Sequence, residues 1–85
     1  MVAYKVIIRR PAEKELEAIE RHLLPAIWGK IKTLASEPRP KGSIKLKDTK
    51  TSYRLRVRDY RIIYTIDDKN KVVVVVGVKH RREAY

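Results

Sequence analysis

The sequence predicts a single α+β domain in which an N-terminal strand and a helical hairpin pack on a four-stranded antiparallel sheet. Three observations predict it. Apolar and polar residues alternate at the start of the chain, over residues 3–9, and again over residues 53–57 and 60–66. Between them, apolar residues spaced by three and four mark two helical stripes, Leu16, Ile19 and Leu23, then Ile27, Ile31 and Leu34. A valine run, residues 72–76, is apolar on both faces, as a central strand requires. With 85 residues, the chain has room for one domain, residues 1–85.

Each element follows from local chemistry. Tyr4, Val6 and Ile8 share one side of the first strand, and Lys5, Ile7 and Arg9 the other. Pro11 suits the first turn of a helix, and Glu13, Glu15 and Glu17 lie near its positive end. His22 is read as a cap compatible with the dipole at that helix's end. Pro25 interrupts, and a second helix is expected from there to about Ser36, with Trp28 in the core and Gly29 as a weak point. Pro38-Arg39-Pro40-Lys41-Gly42 stops the helix and forms a loop. Residues 44–47 are either extended or a loop that presents Lys45 and Lys47 together. A turn at residues 67–70 separates the third strand from the fourth, residues 71–78.

Composition narrows the function. The formal net charge is +11, and there is no cysteine. Residues 39–61 carry nine Lys/Arg against Asp48 and Asp59, an excess of +7 in the middle of the chain. Such a block is the footprint of a polyanion binder, RNA above all, although a solvated basic surface has the same composition. A chain without cysteine has no disulfide framework and no thiolate chemistry, which fits a reducing cytoplasm. The opening residues show no signal-peptide pattern, and no apolar run approaches the ~20 residues of a membrane span. The two histidines and scattered acids lack metal-ligand spacing, so neither metal nor other cofactor is expected. The three glycines form no phosphate loop, and no serine has a nucleophile-elbow context.

The hairpin carries the sharpest inference. Arg58-Asp59 is a two-residue connection, and such a loop fixes the register. Val57 then pairs with Tyr60, Arg56 with Arg61, Leu55 with Ile62, and Arg54 with Ile63. Arg56 and Arg61 face each other beside Arg54, an arrangement that costs a few tenths of a kcal/mol up to ~1 without a counter-ion. Guanidinium forks suit phosphate oxygens. Arg58 sits uneasily in the turn, where glycine, asparagine or aspartate is favoured, so a longer or bulged loop is the alternative to this register. The tail adds Lys79, His80, Arg81, Arg82 and Tyr85. His80 is a candidate proton donor or acceptor, and a tyrosine stacks on a base or donates a proton.

Residues 53–64, YRLRVRDYRIIY, with Lys45-Leu46-Lys47 before them, resemble the YRLRVGDYRIIY signature of the RelE/ParE superfamily of toxins. His80-Arg81-Arg82-Glu83-Ala84-Tyr85 resembles that family's closing HRKDVY-like motif. The first strand, Ala12-Glu13-Lys14-Glu15-Leu16 and Glu37-Pro38-Arg39-Pro40 also fit, so the resemblance spans essentially the whole chain. It implies the RelE-like microbial RNase fold and an antitoxin partner that wraps the toxin, expected to be acidic with an amphipathic helix. RelE-like members cut messenger RNA in the ribosomal A site without metal, through attack by the ribose 2′-OH. ParE-like members poison DNA gyrase, and an inactive homologue still binds its antitoxin. The resemblance places Arg61 at the phosphate-contacting arginine, Lys79 or Arg81 at the C-terminal arginine, and Tyr85 at the C-terminal tyrosine. Arg54 and Arg56 stand where the best-known RelE proteins have lysines. Arginine stays protonated, so these groups stabilise charge, and the base is His80, Glu83, Tyr85 or a ribosomal group. The expected catalytic set is Arg56, Arg61, His80, Arg81 and Tyr85. Lys45, Lys47, Arg54, Arg58, Lys79 and Arg82 are expected to bind RNA.

Overall fold

In the computed structural model, which describes residues 3–47 and 49–82, the chain runs β1 (Lys5–Ile8), α1 (Arg10–Glu17), a 3-10 turn (Arg21–Leu23), α2 (Leu24–Thr33), β2 (Ser43–Lys45), β3 (Ser52–Val57), β4 (Tyr60–Asp67) and β5 (Val72–His80). The α+β class and the helical hairpin are as expected. The sheet differs: it has five strands in the order β1-β5-β4-β3-β2, and it is mixed. β1 runs parallel to β5, pairing Lys5 with Val72 and Ile8 with Val75, while the other neighbours are antiparallel. Alternation locates a strand but carries no direction. Here two helices intervene between β1 and the rest of the sheet, so no hairpin fixes the sense of pairing. Residues 43–45 take the extended alternative and form β2 against β3.

β5 is an inner strand between β1 and β4, in keeping with its valine run. A bulge between Ile63 and Tyr64 skips Val76, so that Val78, Val75 and Val73 all turn to one face. That face joins Leu55, Val57, Ile62, Tyr64 and Ile66 to Ala12, Leu16 and Ile19 and to the α2 stripe Ile27, Ile31 and Leu34 in a single core. Full burial of each such aliphatic side chain contributes roughly 1.5–3 kcal/mol.

The first helix is shorter than its stripe suggested. Pro11 enters its first turn, but the helix ends at Glu17, where the Ala18 and Ile19 N–H groups donate to the Glu15 and Leu16 carbonyls, each at 3.2 Å. Ile19 is buried beyond the helix end, and Leu23 belongs to the 3-10 turn. His22 lies on that turn, exposed and 3.4 Å from Glu20, and does not cap α1. Trp28 is also not a core residue. It sits beside the stripe of Ile27 and Ile31, 36% exposed, and borders a shallow apolar groove with Val6, Ile8 and Ala35. Gly29 faces open space, so no close approach requires a glycine there, and α2 runs through it.

Where β1 ends, α1 takes its place along the edge of β5. The Glu15 carboxylate accepts the Val78 N–H at 2.9 Å and so satisfies a donor that β1 is too short to reach.

Candidate nucleic-acid interface

The β3–β4 hairpin has the register read from its loop. Val57 pairs with Tyr60, Arg56 with Arg61, Leu55 with Ile62, and Arg54 with Ile63. The loop is neither longer nor bulged; the two-residue turn is kept with Arg58 at φ 56°, in the left-handed region. Its carbonyl accepts a hydrogen bond from Arg56 Nε at 3.2 Å, so the turn helps to hold the neighbouring guanidinium.

The next strand extends the row. Arg61 pairs with Lys79 on β5, so Arg56, Arg61 and Lys79 lie side by side across three strands on one face. Arg54 is two residues along β3 on that same face. Arg54, Arg56 and Arg61 line a groove of about 240 Å³ whose remaining walls are Gly42 and Ile44. A second groove, of about 300 Å³, continues from Ile44 and Arg54 to Lys45, Leu46 and Lys47. The two form a basic track along the β2 side of the sheet. Arg61 is only 9% exposed, whereas Arg56 is open to solvent. The row therefore has one cation set in the protein and one at its surface. Such a set of planar donors can hold a phosphate group through paired N–H contacts and stabilise charge that develops on it.

The tail divides. Arg81 donates its backbone N–H to the Asp59 carbonyl at 2.7 Å, and its guanidinium lies 3.9 Å from the Asp59 carboxylate, which fastens it to the hairpin turn. His80 pairs with Tyr60, which puts it on the opposite face from Arg61 and Lys79. Its ring meets Tyr60 edge-on, with centroids 5.1 Å apart, and its Nδ1 accepts the Arg82 N–H at 3.3 Å. In that arrangement the neutral ring carries its proton on Nε2. Lys79 is ion-paired with Glu15. Arg58 borders a wide depression against Pro25, Ala26, Gly29 and Lys30 of α2, which adjoins the groove of Arg54 and Arg61 through their shared wall, Arg56. Tyr85 and Glu83 lie outside the described residues. Among the described residues, no cluster of three or more metal-binding side chains comes together, and no helix is long and apolar enough to cross a membrane.

Gly42, Ile44 and Glu15 are the parts of this surface that reading the sequence missed. Each acts across a gap in sequence. Glu15 and Val78 are 63 residues apart, and no local pattern announces such a contact. Gly42 alone left a signal, as the glycine that ends the Pro38–Pro40 loop; it has φ 96° and opens the chain into β2.

Residues 6–85 match the family model described as the ParE toxin of the type II toxin–antitoxin system parDE. Among solved structures, the chain is similar to an archaeal RelE–RelB complex from Pyrococcus horikoshii, at 31% identity and a TM-score of 0.82, over 92% of this chain and 94% of that one. It is also similar to the RelBE2 toxin–antitoxin complex from Mycobacterium tuberculosis, at 28% identity and a TM-score of 0.81, over 94% of this chain and 100% of that one. A YoeB/ParE toxin from Agrobacterium tumefaciens shares the fold at 16% identity and a TM-score of 0.75, over 89% of this chain and 96% of that one. A search of curated proteins gives no match. The chain belongs to the RelE/ParE superfamily of toxins of type II toxin–antitoxin systems.

Proposed function

We propose that this toxin acts on RNA, as a metal-independent, ribosome-dependent endonuclease that cuts messenger RNA in the A site and inhibits translation in the cytoplasm. The observation that carries the reading is the groove where Arg54, Arg56 and Arg61 converge. In this reading the scissile phosphate lies against Arg56 and Arg61. The ribose 2′-OH attacks phosphorus, the bond to the 5′ oxygen breaks, and a 2′,3′-cyclic phosphate forms. The guanidinium groups stabilise the extra negative charge of the pentacovalent transition state and take no proton. Lys45, Lys47 and Arg54 track the strand on one side, and Arg58, Lys79 and Arg82 flank it on the other. Proton transfer belongs to the tail, with His80 Nε2 and Tyr85 as the groups and Arg81 at the leaving-group side. His80 stands on the Tyr60 face, opposite the arginine row, so its part in the step is tested by substitution. An acidic antitoxin with an amphipathic helix silences the toxin by covering this face; the RelE–RelB likeness supports an antitoxin partner.

The match to the ParE model favours a second reading, a gyrase poison that works by protein binding alone. One experiment separates the two: primer extension on ribosome-bound message, with a supercoiling assay alongside. The expected result is cleavage in the A site, slowed ~10²-fold or more in Arg56→Ala and to a similar degree in His80→Ala. An intact message with blocked gyrase would replace the nuclease reading by the ParE-like one. Cleavage undiminished in His80→Ala would make His80 a packing partner of Tyr60 and leave proton transfer to the other groups.

A further inference from the structure

The arginine row ends on a carboxylate. Glu15 rises from α1, and its Oε1 is fixed by the Val78 N–H at 2.9 Å. Its Oε2 pairs with Lys79 Nζ. The side chain is mostly buried, 22% exposed, so this carboxylate is held in place rather than sampling solvent. The pair lies against Gly77, where a Cβ would be in ordinary van der Waals contact with both, 3.5 Å from Glu15 Oε1 and 3.6 Å from Lys79 Cε. Lys79 is in turn the cross-strand neighbour of Arg61, and Arg61 of Arg56. The charges along the row therefore run minus, plus, plus, plus.

We infer that Glu15 is a positioning residue of the polyanion site that acts through Lys79, as a built-in counter-ion that competes with phosphate for its ammonium. This inference rests on the reading of the arginine row as a phosphate site. Anchoring on a backbone N–H makes the competition effective, because the carboxylate is already ordered and loses little entropy in holding the lysine. A phosphate that enters beside Arg61 must displace Glu15 before it gains Lys79. The site then holds its ligand more weakly than its count of cations implies, and the acid sets how strongly salt affects binding.

The number of phosphate contacts is read from the slope of log K against log salt, about 0.7 per contact for a single strand. Glu15→Gln keeps an oxygen for the Val78 N–H and removes the charge. It should bind single-stranded RNA more tightly at low salt, with a slope steeper by about 0.7. The double variant Glu15→Gln/Lys79→Gln should return to the wild-type slope, and melting curves check that both variants fold. Inorganic polyphosphate is titrated in parallel, so that the comparison does not depend on RNA being the ligand. Absence of RNA binding with polyphosphate slopes that follow the pattern would refute the RNA reading and keep the role of Glu15. Equal slopes in wild type and Glu15→Gln would overturn that role. So would a steeper slope that survives in the double variant, or a wild type that binds neither polyanion.

Discussion

Arg58 shows how this protein spends stability on its surface. A non-glycine residue in the left-handed region costs roughly 1–2 kcal/mol, and Arg58 sits there at φ 56°. The ladder pairs Val57–Tyr60 and Arg56–Arg61 on either side leave it no other conformation. Replacing it with glycine relieves that strain but gives the unfolded chain extra freedom, worth about 0.4–1 kcal/mol. Arg58→Gly is therefore expected to stabilise the protein by up to ~1 kcal/mol in urea unfolding. A less stable variant would mean that side-chain contacts of Arg58 outweigh the backbone strain. Both the opposed arginines and the strained turn were legible in the sequence for one reason. A two-residue connection leaves the flanking strands a single register, so cross-strand neighbours can be counted outward from the loop. His80 is the contrasting case. It is adjacent in sequence to Lys79 and so looked like a member of the same site, yet the pleat sends alternate residues to opposite faces.

At the scale of elements, the chain ties its loops together with charge as well as apolar contacts. Arg39, in the loop between α2 and β2, grips Asp68 in the β4–β5 turn through two N–H contacts of 2.7 and 3.2 Å. Its Nε also donates to the Tyr53 hydroxyl at 3.1 Å, and Tyr4 of the segment before β1 donates to Asp68 at 2.6 Å. Beneath this clasp the buried Tyr64 donates its hydroxyl to the Pro38 carbonyl, and its burial raises its pKa. The Arg39 hydrogen bond, then that of Tyr4, hold Asp68 down to about 2, from an ordinary value of 3.8. A carboxylate depressed in the folded state stabilises the fold above the unfolded pKa, and that contribution is lost as pH falls through the folded pKa. Wild type should therefore lose more thermal stability than Arg39→Gln between pH 3.8 and about 2. Asp68 is exposed, so the difference should be small and should shrink in high salt. Parallel melting curves for the two proteins over that interval would argue against the clasp. None of it was legible in the sequence: Pro38–Pro40 announced a loop, but Arg39 and Asp68 are 29 residues apart. The parallel pairing of β1 escaped for a related reason, since two helices separate it from the strands it joins. By contrast the β4–β5 turn was readable, because Asp67 and Asn70 bond each other locally, with the Asn70 N–H 3.0 Å from Asp67 Oδ1.

The whole molecule is a small cation of net charge +11, and Lys45, Lys47, Arg54, Arg56 and Arg61 are gathered along the β2 side of the sheet. Charge of this size affects how fast a partner arrives more than how long it stays. A field of one sign raises association rates ~10- to 10³-fold at low salt, and ions screen it once the Debye length falls below the size of the groove. An acidic antitoxin segment meeting the track of Arg54, Arg56, Lys45 and Lys47 would be drawn in by that field. Its residence time would instead depend on apolar contacts, for which the groove beside Trp28 offers one place. Stopped-flow association of the toxin with its antitoxin should therefore slow by about tenfold or more between low salt and about 0.5 M, while dissociation changes little. Substituting Lys45 and Lys47 by glutamine should reproduce part of that slowing at low salt and have almost no effect at high salt, because screening has already removed what they contribute. An association rate indifferent to salt would show that the antitoxin docks without using the basic face. A variant that slows equally at every salt concentration would place these lysines in direct contact rather than in steering.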